Sequence, residues 1–231
     1  MATFVLLHGA WHDASCWDRL IPELRERGHD ALAPPLPLDD PDATFADRAR
    51  PAIEAIANVE EPVVVVGHSM SSAYAPLVAH EKDGALLVHL CPSLSPFPAP
   101  PGAPDRFRPE LPFPPARDDG STVWDKEAAL DSIYARLPDA TARELAERLR
   151  PMSPPPDEFP LDGHPDVPTV LIYAADDEFF NPDWERLMAR EVLGVDPIEI
   201  PGGHFPMAED PAGLAGLLAS LAASPSEPRR S

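Results

Sequence analysis

The stretch Val63-Val64-Val65-Val66-Gly67-His68-Ser69-Met70-Ser71 restricts the fold more than any other part of the chain. Four consecutive valines suit a strand covered on both faces, because a strand with one wet face alternates apolar and polar residues. A helical stretch is expected over 71–79, so the strand must turn sharply into a helix with Ser69 at the corner. This is the strand-turn-helix context of a nucleophile elbow. There, backbone strain at the serine lifts its hydroxyl clear of the sheet, and small residues are needed two places to either side. Gly67 meets that need, and Ser71 stands where a second glycine is usual. The competing reading of Ser69 is a plain cap on the following helix; the valine run and the His68-Ser69 pair favour the nucleophile.

Similar apolar runs recur at 4–7, 31–33, 85–90, 170–174 and 198–200. Helical stretches lie between them at 17–27, 45–57, 71–79, 183–193 and 212–223, most with apolar positions three and four residues apart. The alternation predicts an α/β fold with a doubly wound, mostly parallel sheet of about six strands. Thr44 and Asp47 read as a capping pair for the second helix, and Pro51 is expected to kink or divide it. From Pro92 to Pro168 the alternation stops, and proline becomes too dense for a sheet centre. Two helix-like pieces, 125–136 and 139–149, and apolar residues such as Phe107, Phe113, Trp124, Ile133 and Tyr134 argue for a small packed cap rather than a free linker. The expected organisation is core at 1–91 and 169–223, an inserted Pro-rich cap at 92–168, and a frayed tail at 224–231.

Composition bounds what such a chain binds. At 231 residues it has room for one domain with a substantial core. Asp and Glu number 39 against 18 Lys and Arg, a formal charge of -21 that repels phosphate backbones and anionic lipid surfaces. Nucleic acid and membrane partners are therefore not expected, and a small-molecule substrate is. Two cysteines, Cys16 and Cys91, are too few for a disulfide framework and read as buried thiols. The opening Met1-Ala2-Thr3 runs straight into a strand, so cytoplasm is the default expectation.

A serine hydroxyl is a weak nucleophile and needs a base to take its proton. Catalytic groups on a doubly wound sheet gather beyond the carboxyl ends of the strands, and the elbow chemistry runs in chain order serine, acid, histidine. Among eight histidines, His204 follows a late strand and precedes the final helix, in the glycine-rich loop Pro201-Gly202-Gly203-His204. His164 is its rival, and His89 is expected in the core. The acid should leave the preceding strand in Ala175-Asp176-Asp177-Glu178; Asp177 is preferred and Asp176 second, with the remaining carboxylates left as solvated loop charges. Backbone donors for an oxyanion are expected at Met70, after the nucleophile, and at Ala10, where Gly9 frees the turn after the first strand. No metal or organic cofactor is expected: His8 and His12 lack the intervening glutamate of a zinc helix, and no phosphate-binding glycine loop occurs.

With His8-Gly9-Ala10-Trp11, Gly67-His68-Ser69-Met70-Ser71, Ala175-Asp176-Asp177 and Gly203-His204 in this order, the sequence resembles the α/β-hydrolase superfamily along nearly its whole length. The opening motif with Cys16-Trp17 looks like the branch of plant methylesterases, salicylate-binding esterases and hydroxynitrile lyases and their bacterial relatives. The resemblance implies a helical cap and acyl transfer through Ser69, His204 and Asp177, with oxyanion donors at Ala10 and Met70 and no cofactor. It also favours Asp177 through the spacing Asp177-x-x-x-x-Pro182. Ester hydrolysis on a small, fairly apolar substrate is the leading expectation. A lyase using the same triad, which would need a cationic or polar group near Ser69, and a non-catalytic receptor are the alternatives.

Overall fold

The computed structural model describes residues 1–223, so the tail reading at 224–231 falls outside the described residues. The strands are β1 (Thr3–Leu7), β2 (Asp30–Leu32), β3 (Val63–His68), β4 (Leu86–Leu90), β5 (Thr169–Ala174) and β6 (Ile198–Ile200). The helices are α1 (Leu20–Glu26), α2 (Phe45–Ile56), α3 (Ala75–His80), α4 (Lys126–Asp131), α5 (Asp139–Glu147), α6 (Pro182–Glu191), α7 (Pro206–Glu209) and α8 (Pro211–Ala223). All six strands run parallel in one sheet of order β2-β1-β3-β4-β5-β6.

The valine run explains the two-sided covering. Val64 and Val66 pack with Phe4, Leu6 and the residues of α1 and α8 on one face. Val63 and Val65 pack with Val5, Leu7 and the residues of α2 and α3 on the other. All four are buried, and each such side chain contributes roughly 1.5–3 kcal/mol through the apolar area it loses to solvent. Leu171 and Tyr173 of β5 meet Trp184 and Met188 of α6. Cys16 and Cys91 are buried free thiols.

The helices differ from the sequence reading in several places, three of which are informative. α2 is not divided at Pro51. Its capping box is complete, with Asp47 N donating to Thr44 Oγ1 at 3.1 Å and Thr44 N donating to Asp47 Oδ2 at 3.0 Å. Phe45 and Ala49 before the proline, and Ala52 and Ile56 after it, are buried and hold both halves on the sheet. The segment after Ser69 starts as a 3-10 turn, Ser69–Ala73, and becomes α-helical only at Ala75, where Pro76 tolerates a first-turn position that needs no N–H. α4 stops at Asp131 instead of reaching 136, because Ser132 leaves the helical region (φ -121, ψ -87) and lets Ile133 and Tyr134 turn into the core.

The strand order places the site. The chain leaves β1 for β2 on one side and then crosses back to lay β3 on the other, so the crevice between β1 and β3 lies where the winding reverses. Leu7 pairs with Gly67 in that ladder. The turn after β1 and the elbow after β3 therefore emerge side by side.

Candidate active site

Ser69 sits at the corner after β3 with φ 53, the left-handed region that costs a non-glycine residue on the order of 1–3 kcal/mol. The surroundings hold it there. Its carbonyl accepts from Ser72 Oγ at 2.7 Å and from Ser93 N at 3.1 Å. A Cβ on Gly67 would stand 2.6 Å from Ala75 Cβ and 2.9 Å from the Ser71 carbonyl, so no larger residue fits. Ser71, in the place usual for a second glycine, is fully buried and donates its hydroxyl to the His8 carbonyl. The hydroxymethyl thus ties the elbow to the turn after β1.

His204 follows β6 and presents Nε2 to Ser69 Oγ at 3.0 Å and Nδ1 to Asp177 Oδ2 at 2.7 Å. Asp177 Oδ1 accepts the backbone N–H groups of Phe179 (2.7 Å) and Phe180 (2.9 Å), which fixes the carboxylate plane. All three residues are buried. The ring of His204 lies against Phe179 and His68, at centroid distances of 4.4 and 4.8 Å. Burial, and then the neighbouring His204, push His68 well below the ordinary histidine range, so it stays neutral and donates from Nε2 to the His204 carbonyl. The structure leaves His164 out of this line: its Nε2 lies 3.1 Å from Nε2 of His89, itself buried in β4.

The acidic loop departs from expectation at Glu178. Asp176 is exposed and pairs with Arg136 at 3.2 Å, as a solvated charge does. Glu178, however, accepts the backbone N–H of His204 at 2.9 Å, and Glu209 accepts that of Gly203 at 2.7 Å. Arg136 lies between them, 3.8 Å from Glu178 and 3.7 Å from Glu209. Two carboxylates, with a guanidinium between them, therefore hold the histidine loop by its main chain. Burial raises the Glu178 carboxyl, and the His204 N–H counters that shift. Sequence reasoning missed both glutamates, because neither the 26-residue nor the 6-residue separation belongs to a local motif.

Ala10 and Met70 both line the cavity above Ser69. His8 is buried, with its pKa lowered to about 4 by desolvation. Its Nε2 accepts from Leu36 N at 3.1 Å, so the ring proton sits on Nδ1, 3.2 Å from the Gly9 carbonyl. In a trans peptide the carbonyl and the next N–H point in opposite directions. Holding the Gly9 carbonyl towards His8 thus directs the Ala10 N–H the other way. Gly9 itself is required, since a Cβ there would come within 2.9 Å of Ser69 Cβ.

The cavity measures about 310 Å³, and its walls include Trp11, Phe45, Phe107, Phe113, Phe179 and Phe180. Trp11, Phe107 and Phe113 reach the cavity, while Trp124, Tyr134 and Phe205 are buried core. Tyr134 hydrogen-bonds to His12 at 2.6 Å. A larger hollow, about 520 Å³, is lined by Arg108, Asp176, Asp177 and Glu178 but does not include Ser69 in its wall. Arg106 also lines the cavity of Ser69, a cation that sequence reasoning did not find. Cys91, Asp177 and His204 place one ligand-type atom each within 4.8 Å of one another. Burial pushes the Cys91 thiol well above its ordinary value, away from the thiolate a metal binds. No described helix is long and apolar enough to cross a membrane.

The profile of the alpha/beta hydrolase family matches residues 4–217. The chain is similar to a pyrethroid hydrolase of Sphingobium wenxiniae, 27% identical over 98% of this chain and 89% of that protein. It is also similar to Methylesterase 7 of Arabidopsis thaliana, 24% identical over 95% of each. The crystal structure of a pyrethroid hydrolase superimposes with a TM-score of 0.82 at 26% identity, covering 98% of this chain and all of that one.

Proposed function

The chain belongs to the alpha/beta hydrolase family, and from that membership we propose that it hydrolyses carboxylic esters through an acyl-enzyme on Ser69. The observation that carries the reading is the unbroken hydrogen-bonded line from Ser69 Oγ through His204 to Asp177. In the proposed reaction Ser69 Oγ adds to the ester carbonyl as its proton passes to His204 Nε2, and Asp177 steadies the resulting imidazolium. The oxyanion takes hydrogen bonds from the N–H groups of Ala10 and Met70. Collapse expels the alcohol, which leaves with the proton from His204. A water then repeats the addition at the acyl carbon, giving its proton to His204 and releasing the acid as Ser69 Oγ is reprotonated.

The substrate class follows from the walls. We read 92–168 as a cap that supplies Phe107, Phe113, Pro114, Thr122, Met152 and Pro155 to a predominantly apolar cavity. Phe107 and Phe113 remain 38% and 46% exposed, with rings 4.8 Å apart, an apolar edge suited to an entering substrate. The names of similar proteins, a pyrethroid hydrolase and a methylesterase, support a small, fairly apolar ester. The test is Ser69→Ala. Hydrolysis of p-nitrophenyl butyrate should fall by at least about 10³-fold and fluorophosphonate labelling should vanish, with the fold retained by circular dichroism. Turnover at the parent rate in that variant would end the proposal.

A further inference from the structure

The wall of the Ser69 cavity contains a charge that the triad does not use. Arg106 lines the cavity and is partly buried. Its guanidinium carbon lies 5.1 Å from the ring centroid of Trp184 and 5.7 Å from that of Phe107, which itself lines the cavity. Among the described residues its side chain has no ion pair and no hydrogen-bond acceptor. The contrast with the other partly or wholly buried arginines is plain. Arg48 donates to the Tyr74 hydroxyl and the Pro154 carbonyl, and Arg108 donates to the Asp177 carbonyl. Arg186 donates to the Tyr173 hydroxyl at 3.2 Å and pairs with Asp183 and Glu199. Acidic residues outnumber basic ones by 39 to 18, so carboxylates are abundant and this position has been left without one.

A guanidinium carries five N–H donors in one plane and keeps its charge under all ordinary conditions. Removing it partly from water is unfavourable unless acceptors replace the lost solvent. Burial lowers the Arg106 pKa in the direction that cost requires. Two aromatic neighbours restrict the side chain, so less ordering remains when an acceptor arrives. The acceptor that fits a planar fork is a carboxylate, which takes two parallel hydrogen bonds. The other polar groups on the side chains of the wall are the hydroxyls of Ser69, Ser93, Ser95, Thr122 and Tyr74 and the indole N–H of Trp11, none of them charged. A single fixed cation in an otherwise apolar cavity is the pattern by which such sites orient a ligand.

We infer that Arg106 binds a carboxylate on the substrate, so that the Ser69 cavity takes esters with an apolar body and an acidic group remote from the scissile bond. This rests on the ester-hydrolase reading above and narrows it.

Two matched sets of substrates test it. On the acyl side, p-nitrophenyl hexanoate is compared with the mono-p-nitrophenyl esters of adipic and suberic acid. On the alcohol side, phenyl butyrate is compared with 4-(butyryloxy)benzoate. In at least one set the parent should favour the charged member in kcat/KM. Arg106→Gln should lower kcat/KM for that member tenfold to a hundredfold, with under about threefold change on its neutral counterpart. Arg106→Lys should retain part of the preference, and dicarboxylate products should inhibit the parent more strongly than Arg106→Gln. Equal effects of Arg106→Gln on charged and neutral members, or a parent that favours the neutral ester in both sets, would overturn the inference. Thermal melting of both variants separates a loss of packing against Trp184, which lowers turnover of every ester together. Persistence of neutral-ester turnover in Ser69→Ala would instead remove the hydrolase reading, independently of any Arg106 effect.

Discussion

Replacing Asp177 by Asn isolates the role of one oxygen. Asp177 Oδ1 accepts two backbone N–H groups, from Phe179 and Phe180, while Oδ2 accepts from His204 Nδ1. An asparagine at this position must keep its carbonyl oxygen towards the two N–H donors, because the reverse orientation sets an NH2 group against them and leaves each unsatisfied at about 1–3 kcal/mol. The NH2 therefore faces His204 Nδ1. That nitrogen must then offer a lone pair, the ring proton moves to Nε2, and Nε2 can no longer accept the proton of Ser69 Oγ, 3.0 Å away. A triad locked in the wrong tautomer loses about 10⁴-fold in kcat, equivalent to about 5.5 kcal/mol of barrier. The assay is kcat and KM for p-nitrophenyl butyrate, with fluorophosphonate labelling rate as a second readout. Asp176→Asn serves as control: Asp176 is exposed and pairs only with Arg136, so its loss should change kcat by under about twofold. A folded Asp177→Asn variant within tenfold of the parent, or a larger defect from Asp176→Asn, would refute the reasoning.

The glutamate that holds the His204 main chain should matter for rate more than for binding: Glu178→Ala is expected to lower kcat about tenfold with KM nearly unchanged, while Glu178→Gln, which keeps an acceptor for the N–H at 2.9 Å, restores most of it. Parallel kcat and KM effects would argue against a positioning role. Glu185 is fully buried in α6, and neither of its carboxyl oxygens has a hydrogen-bond partner among the described residues. Burial, reinforced by the charge of Asp177, raises its pKa well above the ordinary carboxylate range. The folded state thus holds a proton that the unfolded chain releases, and stability falls as pH climbs above about 4.5, by up to about 1.4 kcal/mol per pH unit. Glu185→Gln removes that slope, so urea denaturation should find the variant more stable than the parent at pH 7 and the gap closing towards pH 4. A pH-independent difference would contradict it.

What the sequence made legible follows from locality. Continuous apolar runs such as 63–66 announce a strand covered on both faces, and the elbow, the Gly9 turn and the Gly203-His204 loop each carry their signal within a few residues. The boundaries that shifted did so where a distant contact outweighed local preference: Tyr134 leaves the helical path to reach His12, and α2 survives Pro51 because buried residues on both sides of it grip the sheet. Glu178, Glu209 and Arg106 were not legible for the same reason. Each gains its meaning from partners contributed by remote parts of the chain, Arg106 from Trp184 and Glu178 from His204.

The pairing of Leu7 with Gly67 has a consequence for how such a protein can change. The proposed nucleophile and both nominated oxyanion amides hang from two adjacent strands whose alignment is locked by valine packing, whereas half of the residues lining the cavity, Phe107 and Phe113 among them, arrive from 92–168. Machinery and part of the taste are thus encoded in separately mutable tracts. Drift in the second can retune which molecules are accepted while the first stays still, so an engineer seeking new ester preferences should randomise positions such as 107, 113 and 152 and leave the edges of β1 and β3 alone.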